Sequence, residues 1–109
     1  MWFEGGNGSA GGSKISPINT VVENEWQMLT YVVDFDGQEV SFYRNGEYLV
    51  TATGIVSGIS YNNLNLFIGH MNSAYNMDAN LGEFKIWNSG LDVNTITAEY
   101  NATKSRYGL

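Results

Sequence analysis

At 109 residues, with a net charge of −6 and five basic residues, the chain has the length of one domain and lacks the clustered Lys and Arg that nucleic acid or anionic lipid requires. It contains no cysteine, which excludes a disulfide framework and a thiolate metal site and leaves stability to packing. Met1-Trp2-Phe3 is followed by Glu4 and glycines, without a basic leader or a long apolar run, so neither a signal peptide nor membrane insertion is expected.

The first punctuation is GGNGSAGGS, Gly5 to Ser13, a composition that reads as a flexible loop or linker. It isolates the apolar tripeptide before it, where Trp2 and Phe3 are candidates to dock a neighbouring subunit, since buried Trp often dominates an interface. Ile15 to Ile18 is a strand candidate that Pro17 would confine to a sheet edge. The domain is expected to cover 1–109, with 1–14 as an apolar N-terminus plus flexible segment and 15–109 as sandwich core and terminal helix.

WQMLTYVVDFDGQEVSFYRNGEYLVTATG, Trp26 to Gly54, predicts three consecutive antiparallel strands. Leu29, Thr30, Tyr31, Val32 and Val33 form a β-branched and aromatic run, and Asp36-Gly37 follows where a tight turn needs a residue tolerant of positive φ. From Glu39 to Arg44, Val40 and Phe42 alternate with polar residues, although Tyr43 interrupts the pattern. Asn45-Gly46 then gives the strongest short-range hairpin signal, and Glu47 to Thr53 returns as the third strand.

Beyond this ladder, Ile55-Val56 is a possible short strand, Leu64 to Gly69 reads as a buried strand, and Met71 to Asn80 as a polar loop. LGEFKIW, Leu81 to Trp87, alternates like a strand with Phe84 and Ile86 toward the core, and Asn88-Ser89-Gly90 ends it. Trp26 and Trp87 are assigned to the core. A closing helix is predicted from Asp92 as N-cap, Val93, Ile96 and Tyr100 at helical spacing, Lys104 and Arg106 at the negative end of the dipole, and Gly108 as terminator. Many strands and one terminal helix predict an all-β antiparallel sandwich.

The order of Trp26, Asp36-Gly37, Tyr43-Arg44-Asn45-Gly46, Phe67-Ile68-Gly69, Leu81 to Asn88, Leu91 and the closing helix resembles the C-terminal part of a laminin-G-like module of the concanavalin A-like lectin/glucanase superfamily. The resemblance covers Trp26 to Leu109 and implies a jelly-roll sandwich. Such a module is considerably longer than this chain, so the resemblance leaves three readings open: a fragment, a compact derivative, or a sandwich whose other strands come from a neighbouring chain. The ending YNATKSRYGL is similar to copies of the module in virion structural proteins of tailed bacteriophages.

Catalytic relatives on this scaffold place two carboxylates on one strand face, roughly 5–9 Å apart, around a scissile glycosidic bond. Asp34 and Asp36 have the right parity but border a turn, which an Asp there commonly stabilises, and no catalytic residue is assigned. The single histidine, His70, reads first as a loop residue. Lectin-like relatives often hold calcium through rim oxygens, and Asn72, Asn76, Asp78 and Asn80 form the local candidate, with Asn76 and Asp78 as the named ligands; the simpler reading is a solvated loop. Sugar recognition needs an aromatic platform ringed by polar groups, and Tyr61, Asn63, His70, Tyr75 and Asn76 supply that mixture; packing at a subunit interface competes with it. Two glycosylation sequons, at Asn7 and Asn101, are discounted without a signal peptide.

The expected function is therefore a non-catalytic structural or attachment module of a phage particle, a capsid decoration or tail or fibre subunit, with weak glycan contact. The alternative is a carbohydrate-binding adhesion domain of a larger extracellular protein, and a glycoside hydrolase fragment ranks third. Partners would be copies of itself or virion proteins, and glycans. The location would be a virion surface or extracellular.

Overall fold

Three strands, β1 (Leu29–Asp34), β2 (Glu39–Arg44) and β3 (Glu47–Thr53), form an antiparallel meander at the centre of the molecule. The computed structural model describes residues 1–6, 9–58, 68, 70–71 and 75–109. The meander lies where the β-branched and aromatic run predicts it, although its first strand begins at Leu29 and not at Trp26. Before it, the Gln27 side chain closes the preceding loop, donating to the Val22 carbonyl at 2.6 Å and accepting from the Val22 N–H at 3.1 Å.

The two turns of the meander differ in kind. Asn45 and Gly46 have φ of 52° and 83°, the double left-handed geometry of the expected two-residue hairpin. The first turn spans Phe35 to Gln38, and its left-handed residue is Gln38 at φ 56°, not Gly37. Gly37 serves another purpose: a Cβ there would lie 2.7 Å from Oδ2 of Asp34, so the glycine leaves that carboxylate its place. That carboxylate turns back into the loop, where its Oδ1 accepts from the N–H groups of Asp36 at 3.0 Å and Gly37 at 2.8 Å.

Val40 and Phe42 point to one face of β2 and are fully buried; with Ile55 they form the core, against which Met1, Phe3, Val33, Leu49 and Val50 pack. Fully burying side chains of this size stabilises by about 1.5–3 kcal/mol each. Tyr43, which breaks the alternation in sequence, sits at an irregularity in the ladder: Phe42 pairs with Val50 but Tyr43 pairs with Tyr48, so Leu49 is the extra residue of a bulge. Ile55 is buried without forming a strand with Val56.

The glycine-rich N-terminus is not a linker. Trp2–Gly6 and Gly11–Ile15 pair as two antiparallel strands, β4 and β5, from Trp2 opposite Ile15 to Gly6 opposite Gly11. Glycine weakens a strand by its entropy, but it also lets backbones come close. A Cβ on Gly5 would meet the Phe3 ring at 3.0 Å, and one on Gly12 would lie 3.9 Å from the Gly54 carbonyl oxygen. Phe3, a candidate to dock a neighbouring subunit, lies half-buried against the core of its own chain, with its ring centroid 6.4 Å from that of Tyr31. The strand expected over Ile15 to Ile18 ends at Ile15; Ser16 donates a last backbone bond to the Met1 carbonyl at 2.9 Å, and Pro17 has no N–H with which to continue.

The largest departure concerns Leu81 to Trp87, which belongs to no ladder among the described residues. Phe84 and Ile86, expected in the core, are exposed, because an alternating segment buries its apolar face only when a sheet receives it. Trp87 and Trp26 are also partly exposed and not core residues; Trp26 packs against Tyr107 with centroids 4.8 Å apart and the rings tilted by 38°. The strand expected over Leu64 to Gly69 lies outside the described residues, apart from Ile68.

The closing helix α1 (Val93–Thr103) forms as predicted, with the Asp92 Oδ1 accepting from the Thr95 N–H at 2.7 Å. A single 3-10 turn, Lys104–Tyr107, carries both expected basic residues and ends at left-handed Gly108, φ 75°. Ile96 anchors the helix in the interior, while Val93 remains exposed. The described residues are thus mostly antiparallel β-structure with one short C-terminal helix, consistent with a concanavalin A-like sandwich.

Candidate functional site

Two positions among the described residues bring aromatic and polar residues together along the backbone or by side-chain contact. The first is a short antiparallel pair, β6 (His70–Met71) and β7 (Tyr75–Asn76), inside the region expected to be a loop. Its register places His70 opposite Asn76 and Met71 opposite Tyr75. The backbone therefore brings together three of the five residues nominated for sugar contact; Tyr61 and Asn63 lie outside the described residues.

The second position escaped the sequence reading. On the face of the meander away from the core, Tyr48 is 54% exposed and packs edge-on against the buried Tyr43, centroids 5.6 Å apart. Its hydroxyl donates to Thr51 Oγ1 at 3.1 Å, and Thr51 in turn shares a 2.7 Å hydrogen bond with the Ser41 hydroxyl. The tether and the ring contact hold an exposed aromatic surface beside a row of hydroxyls. The available signal was the parity of Ser41 and Tyr43, opposite to the core pair Val40 and Phe42. The bulge that brings Tyr48 level with Tyr43 hid the rest.

Two of the acidic residues near the first turn, Asp34 and Asp92, are engaged by backbone amides. Asp34, Asp36 and Asp92 border an open depression beside Val32 and Leu91. Within it, Asp34 caps the β1–β2 turn and Asp92 caps α1. Hydrogen bonding from Thr95 holds the Asp92 carboxyl below the usual aspartate range. An acid and nucleophile for glycoside cleavage would both need to face a substrate, and Asp34 is turned into its own loop.

Calcium takes 6–8 oxygen ligands, usually with several carboxylates. Asp78 is exposed just beyond β7, Asn72 lies outside the described residues, and among the described residues no three of His, Cys, Asp and Glu converge on a metal position. Lys85 makes the ion pairs of the C-terminal region, 2.8 Å from Glu99 and 3.5 Å from Glu83, and bonding to Glu99 raises its pKa. No helix among the described residues is long and apolar enough to cross a membrane.

A laminin-G-type family model, described as the concanavalin A-like lectin/glucanases superfamily, matches residues 1–97. The crystal structure of an S-layer domain-containing protein from Clostridium thermocellum is similar, with 15% identity and a TM-score of 0.56. The alignment covers 84% of this chain and 46% of that one, so the chain spans about half the length of that structure, and the likeness is one of fold. No curated protein matches the chain.

Proposed function

Since the chain belongs to the concanavalin A-like lectin/glucanases superfamily, we propose that it is a non-catalytic recognition module that contacts glycans at an extracellular or particle surface. The observation that carries this reading is the exposed Tyr48 ring, held by Tyr43 and tethered to the Thr51 hydroxyl, which in turn bonds the Ser41 hydroxyl. A pyranose presents axial C–H groups to an aromatic face and hydroxyls around its rim, and this arrangement supplies a partner for each. The non-catalytic part rests on the Asp34 carboxylate, which serves the turn.

The surface setting is supported by the family and by the S-layer domain-containing protein that shares the fold. A phage particle is the narrower setting; it rests on the closing YNATKSRYGL and is tested by copurification with capsid or tail proteins.

Titration with a panel of soluble oligosaccharides, β-glucan, galactan and amino-sugar oligomers, followed by NMR, tests the glycan reading. Saturable shifts at Tyr48 are expected for at least one class, with Tyr48→Ala weakening binding about tenfold, the equivalent of about 1.4 kcal/mol of lost stacking. No saturable binding across the panel would overturn glycan contact. Hydrolysis abolished by Asp34→Asn would overturn the non-catalytic reading.

A further inference from the structure

LGEFKIW, Leu81 to Trp87, has the alternation of a strand and no ladder partner among the described residues. Leu81, Phe84, Ile86 and Trp87 are 54%, 49%, 70% and 41% exposed. The segment is nevertheless held in place. Gly82 lies so close to Tyr107 that a Cβ would come within 2.5 Å of its ring, and the Lys85 ammonium bonds Glu99 of α1 at 2.8 Å. A fixed, exposed, strand-patterned segment leaves backbone donors and acceptors available and apolar side chains wet, and both costs fall when another strand is added.

The chemistry of the segment is nearly symmetric about Phe84. An apolar residue stands at each end, and an acid and a base flank the centre. We propose that residues 81–87 pair antiparallel with the same residues of a second copy of this chain, about a two-fold axis at Phe84. In that register Phe84 meets Phe84, Leu81 meets Trp87, and Gly82 leaves room for Ile86. Glu83 of each copy faces Lys85 of the other, so the pairing contains two opposite-charge pairs and no like-charge pair.

The same charges reject the neighbouring alternatives. An in-register parallel pairing sets Glu83 against Glu83 and Lys85 against Lys85. An antiparallel pairing shifted by two residues centres on Glu83 or on Lys85 and again opposes like charges. Registers shifted by a single residue set Glu83 or Lys85 against Phe84 and lose both opposite-charge pairs. The contact is isologous and closes as a dimer, so it does not propagate into a filament. It lies at the small end of specific interfaces, and the dimer is correspondingly weak and concentration-dependent.

Sedimentation of the intact chain from low micromolar to millimolar concentration is expected to show reversible dimerisation. Glu83→Lys and Lys85→Glu should each abolish it, since each homodimer then opposes like charges twice. An equimolar mixture of the two variants should restore it, because one copy then presents two bases and the other two acids. Lys85→Glu also removes the ion pair with Glu99, but loss of that internal contact cannot be repaired by mixing. As a second measurement, the chain contains no cysteine, so Phe84→Cys places the only thiol on the axis. Oxidation should cross-link Phe84→Cys efficiently and Val93→Cys poorly. A monomer at every concentration, a mixture that stays monomeric, or equal cross-linking of the two cysteine variants would overturn the proposal.

Discussion

The Thr97 hydroxyl donates to the Gly46 carbonyl at 2.9 Å and ties the terminal helix to the second hairpin across 51 residues of chain. Gly46 is constrained twice at this contact. Its φ is +83°, and a Cβ would stand 3.0 Å from the Thr97 Cα. The glycine that makes the turn possible therefore also lets the helix approach.

Gly46→Ala is expected to cost about 1–3 kcal/mol, combining left-handed strain with displacement of the helix. Urea unfolding gives the loss. Thr97→Ala should cost about 1 kcal/mol, the net value of one hydrogen bond, and Thr97→Ser should retain most of it.

Phe42 is fully buried in the core cluster, against which Met1 and Phe3 of the N-terminal segment pack. Phe42→Ala should cost about 3–5 kcal/mol by thermal or urea unfolding. Hydrogen exchange should also show lost protection in Trp2–Gly6, because that strand packs on the same cluster.

At the first turn, an added Cβ on Gly37 would push away the Asp34 carboxylate, at 2.7 Å, and break its bonds to the Asp36 and Gly37 amides. Gly37→Ala should cost about 1 kcal/mol alone. In the Asp34→Ala background it should cost almost nothing, because the group it displaces has gone. Strictly additive losses in the double-mutant cycle would show that the two residues act separately.

Asp92 has a folded-state pKa below its ordinary value, through the hydrogen bond from Thr95. A depressed carboxyl pKa contributes stability above the unfolded value, about 3.9, and that contribution is lost as pH falls through the folded value. Helix α1 should therefore weaken in acid. Asp92→Asn keeps the cap and should flatten this part of the acid transition, whereas Asp92→Ala should lower stability already at neutral pH; circular dichroism against pH distinguishes them.

The central meander, the Asn45-Gly46 turn and the capped helix were legible in sequence because each is specified by neighbouring residues. β-branched runs, residues tolerant of positive φ and a capping side chain act within a few positions of the chain. Part of the candidate site was legible for the same reason: aromatic and amide residues cluster near His70, although only the ladder sets His70 opposite Asn76. Tyr48 was missed because the bulge at Leu49 decides which residue stands beside Tyr43.

Tertiary contact decided the rest. The same composition reads as a linker until Phe3 and Gly54 give the glycines of the N-terminal hairpin something to lie against. LGEFKIW carries a strand pattern, yet a ladder needs a second chain segment at hydrogen-bonding distance, and the described residues provide none. Local sequence sets what each segment can become; burial and pairing depend on which distant surfaces meet, because hydrophobic and hydrogen-bonding free energy is released only between partners that the fold brings together.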